Sequence, residues 1–197
     1  MQHIHPIFER ALNRTHKEAL LRQHAVVVWL VGLSGSGKST LATLLEQSLY
    51  KRGVLTQLLD GDNLRTGINN NLGFSETDRL ENIRRAAEVA RLFLQGGIVT
   101  ICSFISPTVV SRQLAQSIIG VEDFLEVYVD CPVDECEKRD VKGLYSKARQ
   151  GLITNFTGID APFEPPTQPA LVLPTHLNSL ETCSQQLLEN VLKRIQI

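Results

Sequence analysis

The sequence lacks a charge bias and a long apolar segment. Its 197 residues include 20 basic and 21 acidic side chains, so the net charge of −1 steers the chain neither to nucleic acid nor to an anionic membrane. The longest apolar run, residues 25–33, is far short of the roughly 18 residues that indicate a membrane span. The residues before it are mostly polar, which is atypical of a signal peptide. We therefore expect no membrane or nucleic-acid partner, and any phosphate binding must be local.

The sequence also has no CxxC pair and no metal-ligand spacing. Two of its cysteines lie within apolar runs, where reduced cysteine is a common core residue. We interpret all four as reduced thiols of a cytoplasmic protein: Cys102, Cys131, Cys136 and Cys183. The histidines are not accompanied by the cysteine or acid clusters of metal sites, so we expect surface or packing roles for them.

Short β-branched runs alternate with longer segments of helical period, which is typical of βαβ units and a mostly parallel sheet. The strands are expected at residues 26–31, 54–59, 98–103, 124–130 and 170–173. The helices are expected at residues 38–51, 76–95, 107–118, 133–139 and 180–195. Residues 1–24 are interpreted as a helical lead-in with Ile7, Ala11 and Leu12 on one side. Residues 25–197 are expected to form one α/β domain, a five-stranded sheet with helices on both faces.

Residues 32–40, GLSGSGKST, follow the first predicted strand and match the phosphate-binding pattern G-x-x-x-x-G-K-[ST]. Glycines at Gly32 and Gly37 allow backbone N–H groups to point at an anion, and the N-terminus of the next helix adds its dipole. Lys38 can reach the β and γ phosphates, and the Ser39 hydroxyl can bind a Mg²⁺ ion between them. The motif predicts a nucleoside triphosphate site, but it does not separate an ATPase, a GTPase and a small-molecule kinase.

Carboxylates for this site are expected at the end of the second predicted strand. The third strand ends without the metal-binding aspartate of motor ATPases, whereas residues 58–65 read LLDGDNLR. Because the carboxyl ends of parallel strands face the ligand crevice, Asp60 can order Mg²⁺ and Asp62 can accept the proton of an attacking hydroxyl. Arg65 can pair with an anionic substrate. A turn that caps a helix is the alternative interpretation of DGD.

The stretch LGFSETDRLENIRR, residues 72–85, begins a long predicted helix. Ser75 or Thr77 can cap this helix. Arg79 and Asn82 lie three residues apart and therefore share a helix face near its start, where they can hold an anion or an adenine edge. A solvated helix face is the alternative.

Taken together, these motifs resemble those of the adenylylsulfate kinase family. The matching stretches are GLSGSGKST, DGDNLR, LGFSETDRLENIRR, FISP, RDVKGLY and NFTGID, within residues 25–173. The resemblance implies the P-loop NTPase fold and an enzyme that uses ATP and Mg²⁺ to phosphorylate the 3′-hydroxyl of adenylyl sulfate. It also implies a homodimer. A kinase for another small anionic acceptor and a regulatory protein that has lost phosphoryl transfer are the alternatives.

The resemblance also implies roles residue by residue. The ATP-binding residues are Gly32, Gly35, Ser36, Gly37, Lys38, Ser39, Thr40 and Arg139. The acceptor-binding residues are Asp62, Arg65, Phe74, Arg79, Asn82, Ile105, Ser106, Lys142, Leu144, Asn155 and Phe156. The two phenylalanines would enclose the acceptor's adenine. With the motif analysis, the expected catalytic residues are Lys38, Asp62 and Ser106, and the expected metal ligands are Ser39 and Asp60.

Residues 139–166 are expected to form a mobile lid. The segment is rich in glycine, proline, lysine and arginine and holds little apolar pattern, and a loop this long in a compact domain is often functional. Arg139, Lys142, Lys147 and Arg149 can bring positive charge over the transferred phosphoryl group, while closure excludes water. A solvated basic loop is the alternative.

The stretch FISPTVVSR raises the question of what Ser106 does. The family has been credited with a phosphoserine intermediate at this position, but the stretch offers no histidine or carboxylate as a base. We favour Ile105 and Ser106 as walls of the acceptor pocket, with Pro107 starting the next helix. Two departures from the family pattern bear on acceptor affinity: residues 108–110 after FISP, and Asn71 in place of aspartate.

Overall fold

The computed structural model describes residues 7 and 10–196 and contains a five-stranded, all-parallel sheet. Its strands are β1 (Val27–Val31), β2 (Thr56–Asp60), β3 (Val99–Ser103), β4 (Phe124–Asp130) and β5 (Leu171–Pro174). Their order across the sheet is β2-β3-β1-β4-β5, so β1 lies at the centre. The α/β class and the five strands predicted from the sequence are confirmed.

Eight helices connect and cover these strands in the part of the chain that the structure describes. They are α1 (Arg14–Leu21), α2 (Lys38–Tyr50), α3 (Gly61–Arg65), α4 (Glu76–Gln95), α5 (Val109–Ile119), α6 (Val133–Arg139), α7 (Leu144–Arg149) and α8 (Leu180–Ile195). The sequence does not predict α7, and it indicates α3 only through the alternative interpretation of DGD as a helix cap, because five and six residues are too few to show a helical period. None of these helices is long and apolar enough to cross a membrane.

The helices pack on both faces of the sheet, as predicted. Successive β1 side chains point to opposite faces: Val28 and Leu30 pack with α2 and α8, whereas Val27 and Trp29 pack with α4 and α5. All five β1 residues are buried, which explains why the strand is continuously apolar instead of alternating. Two cores therefore hold the central strand, and with it the turn that leaves its carboxyl end.

Helix α5 begins at Val109, so the prediction that Pro107 starts it is wrong. Thr108 is the N-cap: its hydroxyl accepts a hydrogen bond from the Ser111 N–H at 3.2 Å, and Ser111 Oγ accepts one from the Thr108 N–H at 3.3 Å. This reciprocal pairing fixes the start of the helix two residues after the proline. Thr108, one of the departures from the family pattern, therefore serves as a helix cap.

The N-terminal segment contains helix α1, which is shorter than the lead-in predicted for residues 1–24. Asn13 caps the helix, and the exposed residues Ala11 and Leu12 precede it, so they do not share a helix face as predicted. Ile7, the third residue of the predicted apolar side, is exposed as well. Residues 1–6 and 8–9 of the lead-in lie outside the described residues.

Charged side chains hold α1 against the rest of the domain. Arg14 donates to Asp123 Oδ2 and to the Ala25 carbonyl, each at 2.6 Å, and to Glu18 Oε1 at 2.7 Å. Glu18 is buried and also accepts the Ala25 N–H at 2.8 Å. Burial opposes ionisation of Glu18, but the hydrogen bonds from Ala25 and Arg14 outweigh it and lower the pKa of this carboxyl.

Gln23 joins the segment after α1 to the edge of the sheet. Its buried amide group donates to the carbonyls of Leu55 and Gly97, both at 2.9 Å, and accepts the Leu55 N–H at 2.8 Å. One side chain therefore serves three backbone groups of two different loops.

Gln23→Leu should destabilise the protein by about 2–4 kcal/mol, because it deprives three backbone groups of a buried hydrogen-bond partner. Urea unfolding curves measure the free energy of unfolding. Gln47→Leu is the matched control, since Gln47 is exposed on α2. Equal stabilities of the two variants would show that Gln23 does not hold this edge.

Candidate active site

The turn between β1 and α2 exposes backbone N–H groups at the carboxyl edge of the sheet. A Cβ added to Gly32 would lie 2.5 Å from the Val129 carbonyl oxygen, so only glycine fits there. Gly37, the N-cap of α2, has a φ of 104°, a conformation that favours glycine. No side chain caps this helix start, which leaves its N–H groups to an anion.

Lys38 is the first residue of α2, and its side chain is largely buried. The ammonium donates to the Leu33 carbonyl at 2.6 Å. Burial lowers the pKa of Lys38 to about 8, although Cys136 and Asp60 act in the opposite direction. An ammonium group has three N–H donors, so two remain for a phosphate group.

Three strand ends meet beside this turn. Ser39 Oγ donates to Asp60 Oδ2 at 2.7 Å, and it lies 3.2 Å from the hydroxyl of Ser103 at the end of β3. The other carboxylate oxygen of Asp60 accepts the Asp62 N–H at 3.0 Å and so caps α3. The helix-cap interpretation of DGD is therefore correct for Asp60, and it leaves the second oxygen facing Ser39.

The oxygen atoms of Ser39 and Asp60 fit a Mg²⁺ ion, which prefers hard oxygen ligands. Within residues 10–196, no group of three or more histidine, cysteine, aspartate and glutamate side chains could hold a metal by itself. A Mg²⁺ ion at this place would therefore take its remaining ligands from phosphate and water oxygens.

A cavity of about 570 Å³ adjoins the turn, and most of the predicted site residues line it. From the turn and the start of α2, the end of β2 and helix α3 come Gly35, Gly37, Lys38, Ser39, Thr40, Asp60, Asp62 and Arg65. From the opposite walls come Phe74, Arg79, Asn82, Ile105, Ser106, Lys142, Leu144 and Phe156. Residues spread over more than a hundred positions of the chain thus share one space.

Four of the predicted site residues do not line the cavity: Gly32, Ser36, Arg139 and Asn155. Gly32 and Ser36 lie within the turn, and the buried Ser36 hydroxyl has no hydrogen-bond partner in the described structure. The Arg139 guanidinium lies across the outside of the turn, 3.3 Å from the Gly35 carbonyl, and donates to the Thr175 carbonyl at 2.8 Å. Asn155 has a φ of 59° and presents its carbonyl to Arg79.

An ion pair between Asp62 and Lys142 joins α3 to the segment predicted as a lid. Both side chains are more than half exposed, so solvent screens this pair. The same segment is anchored on the phosphate-binding turn, because the Tyr145 hydroxyl donates to the Ser34 carbonyl at 2.9 Å. The lid segment thus contacts both the turn and the proposed base.

Two arginines bind the loops that form the far wall. The Arg65 guanidinium lies 4.4 Å from the centre of the Phe74 ring and donates to the Gly73 carbonyl at 2.9 Å. Arg79 donates to the Phe74 carbonyl at 2.9 Å, to Thr157 Oγ1 at 2.7 Å and to the Asn155 carbonyl. Arg79 therefore ties the loop before α4 to the lid segment.

The two phenylalanines differ in exposure. Phe74 is 62 % exposed, whereas Phe156 is 9 % exposed and packs edge-on against Tyr145 with ring centres 4.9 Å apart. Only Phe156 is fixed by a core, so Phe74 offers a large apolar surface to a ligand that enters between them.

Several residues that no sequence motif marks support this site. Asn69 is fully buried and donates to Asn82 Oδ1 at 3.0 Å. Arg85 donates to Asn71 Oδ1 at 2.8 Å, so the asparagine at this departure from the family pattern still acts as an acceptor. Ser103 could have been found from its place at a predicted strand end, whereas nothing local in the sequence distinguishes Asn69.

Ser106 has a φ of 42° and only 1 % of its surface is exposed. Its hydroxyl accepts a hydrogen bond from Trp29 Nε1 at 3.0 Å, and its carbonyl accepts one from Arg112 Nη1 at 3.0 Å. No histidine or carboxylate of residues 10–196 is hydrogen-bonded to its hydroxyl, which agrees with the absence of a base in the local sequence.

Comparison with known proteins gives consistent results. A curated adenylyl-sulfate kinase of Bacteroides thetaiotaomicron is 63% identical over 98% of this chain and 96% of its own length. The adenylyl-sulfate kinase of Clostridium acetobutylicum is 52% identical over 92% of this chain and 90% of its own. The structure of the Mycobacterium tuberculosis APS kinase in complex with AMPPNP and APS is 44% identical, with a TM-score of 0.82, and covers 85% of this chain and 98% of that one.

A gluconokinase of Sinorhizobium meliloti shares only the fold, with 15% identity and a TM-score of 0.54 over 87% of this chain and 97% of that one. The family model of adenylylsulphate kinase matches residues 24–174, a range that contains every residue of the cavity wall. The chain therefore belongs to the adenylylsulphate kinase family.

Proposed function

We propose that this protein transfers the γ-phosphoryl group of ATP to the 3′-hydroxyl of adenylyl sulfate, yielding 3′-phosphoadenylyl sulfate and ADP. The observation that carries the proposal is one shared cavity of about 570 Å³, which has a phosphate-binding turn on one side and an arginine-rich, aromatic wall on the other. Because donor and acceptor sites open into one space, direct transfer between them needs no intermediate carrier.

The donor side binds the ATP phosphates. The N–H groups at the start of α2 and the Lys38 ammonium face the cavity and supply positive charge. Ser39 and Asp60 would hold Mg²⁺, which when bound neutralises charge on the β and γ phosphates. Arg139 lies beside the phosphate-binding turn and is hydrogen-bonded to Thr175. At this place it would contact the part of the nucleotide beyond the phosphates.

The acceptor side holds adenylyl sulfate by its charge and its adenine. Arg65 and Arg79 bring two guanidinium groups to the wall, and the anionic acceptor requires such donors. Phe74 and Phe156 would enclose the adenine, and Asn82 would meet a polar edge of the ligand. The lid residue Leu144 and Ile105 complete the apolar part of this wall.

Asp62 is proposed to accept the proton of the 3′-hydroxyl as the phosphoryl group transfers. Its present partner is Lys142, which comes from the lid segment. When the acceptor enters, Lys142 can move from the carboxylate to the phosphoryl oxygens, so that closing the lid both frees the base and adds positive charge. Closure also excludes water, a competing acceptor.

The assembly proposed is a homodimer in the cytoplasm. The homodimer rests on the family resemblance. The cytoplasmic location is supported by the cysteines Cys102, Cys131, Cys136 and Cys183, all of which are buried and free of disulfide bonds.

The purified protein with Mg²⁺ and ATP should form ADP only when adenylyl sulfate is added. A coupled ADP assay measures this dependence, and ³¹P NMR identifies the 3′-phosphate on the product. Equal ATP turnover with and without adenylyl sulfate would contradict the proposal.

A panel of nucleosides, gluconate and shikimate, assayed in the same way, tests the alternative of another small acceptor. A better substrate in this panel would reassign the acceptor. Tight binding of adenylyl sulfate by calorimetry without any turnover would instead favour a regulatory protein that has lost phosphoryl transfer.

Lys38→Ala should lower kcat by about a hundredfold or more, because it removes a preorganised positive charge from the phosphates. Lys51→Ala is the control, since Lys51 is exposed beyond the other end of α2. Steady-state kinetics measure kcat, and circular dichroism checks that both variants fold. A wild-type kcat in Lys38→Ala would show that the turn does not hold the transferred phosphate.

Asp62→Asn should lower kcat by roughly a hundredfold while the Kd for ATP changes little, because the amide keeps the shape of the side chain but cannot accept the proton. Asp134→Asn is the control for loss of an exposed carboxylate, at the start of α6. If Asp62→Asn lost ATP binding with an unchanged kcat, Asp62 would be a ligand of the nucleotide or metal and not the base.

A further inference from the structure

Trp29 connects the hydrophobic core to the acceptor wall. It is the only tryptophan of the chain, lies in the central strand β1 and is fully buried. Its ring stacks on Phe104 with centres 5.0 Å apart and packs against Phe124 at 5.7 Å. A buried indole N–H requires an acceptor, and the acceptor here is Ser106 Oγ at 3.0 Å. This hydrogen bond therefore links Trp29 to the cavity wall, which the core residues Ile83 and Phe104 also line directly.

The backbone at Ser106 is held in a strained conformation. A φ of 42° is uncommon for a residue other than glycine and persists only where the surroundings fix it. Arg112 supplies one fixed contact, since its buried guanidinium donates to the Ser106 carbonyl at 3.0 Å and pairs with Glu126 Oε1 at 3.2 Å. Trp29 supplies the second fixed contact, the hydrogen bond to the Ser106 side-chain hydroxyl. The two contacts together set both the backbone and the hydroxyl of Ser106.

The indole hydrogen bond determines what the hydroxyl can offer to a ligand. A serine hydroxyl has one O–H donor and two lone pairs, and Trp29 occupies one of those lone pairs. Its proton must point away from the indole N–H, and Ser106 lines the cavity. No carboxylate or imidazole among residues 10–196 is hydrogen-bonded to this oxygen, so no side chain is placed to remove its proton. The geometry suits donation to a ligand oxygen and not nucleophilic attack.

We propose that Trp29 is a positioning residue of the acceptor site, because its indole N–H orients the Ser106 hydroxyl so that it donates a hydrogen bond to an oxygen of the acceptor. This inference rests on the proposed function. The hydrogen bond from Trp29 ends at Ser106 and not at the phosphate-binding turn. Loss of this bond should therefore weaken acceptor binding and leave the affinity for ATP unchanged.

The test uses Trp29→Phe, which keeps an aromatic ring in the core and removes the N–H. The KM for adenylyl sulfate should rise about fivefold, kcat should change less than about threefold, and the KM for ATP should stay the same. Phe124→Leu is the matched control, because it loosens the packing around the indole and leaves the N–H in place. An equal rise of KM in both variants, or no rise in Trp29→Phe, would overturn the inference.

A double-mutant cycle with Ser106→Ala separates positioning from general packing. If Trp29 acts through Ser106, Trp29→Phe should add nothing to the KM of Ser106→Ala. Additive increases would overturn the inference. An inactive wild-type protein would overturn the proposed function and this inference together, whereas an active wild type with an unchanged Trp29→Phe would overturn this inference alone.

Fluorescence provides a second measurement that does not depend on the folding of Trp29→Phe. Because Trp29 is the only tryptophan, all tryptophan emission comes from this indole and responds to changes around it, including the loss of its hydrogen bond to Ser106. Saturating adenylyl sulfate should shift the emission of the wild type, and Ser106→Ala should shift the emission without ligand and reduce the ligand-induced change by at least about half. An emission that adenylyl sulfate leaves unchanged in the wild type would contradict the proposal.

Discussion

Parallel pairing of β2, β3 and β1 places three chemically different strand ends at one edge of the sheet. Asp60 is in register with Ser103, and Leu30, next to the end of β1, is in register with the same serine. The hydrogen bond of 2.7 Å between Ser39 and Asp60 can form only because this register brings the turn after β1 to the end of β2. The donor site, the proposed metal ligands and the proposed base all depend on this alignment.

The wall proposed to bind the acceptor is built differently, from loops that are hydrogen-bonded to one another. Arg79 binds the loop before α4 to the lid segment, and Arg65 supports Phe74 from the side. The core residue Trp29 holds Ser106 in place through a hydrogen bond to its hydroxyl. The donor side therefore owes its geometry to the sheet, whereas the acceptor side owes its geometry to polar contacts between segments far apart in the chain. Acceptor binding should consequently be the more sensitive of the two to substitutions in loops.

The same contrast explains what could be predicted from the sequence. The five strands and the long helices follow from β-branched runs and helical period, and GLSGSGKST marks the turn because its spacing is tied to a mechanism. The sequence predicts that α5 starts at Pro107, because proline is favoured at the first helical position. The pairing of Thr108 with Ser111 overrides that preference, so the helix begins at Val109. Contacts such as those of Gln23 and Trp29 join residues more than 30 and 70 positions apart, and no local pattern encodes them.

In the proposed reaction, one cavity aligns ATP with the 3′-hydroxyl of adenylyl sulfate. A crystal structure with a non-hydrolysable ATP analogue, Mg²⁺ and adenylyl sulfate would show this alignment. We expect the terminal phosphate at Lys38 and Ser39, the adenine between Phe74 and Phe156, and the 3′-oxygen beside Asp62 at about 3–3.5 Å from the terminal phosphorus. Adenylyl sulfate bound outside this cavity, or bound inside it with the 3′-hydroxyl turned away from the phosphate, would show that the cavity does not align the two substrates.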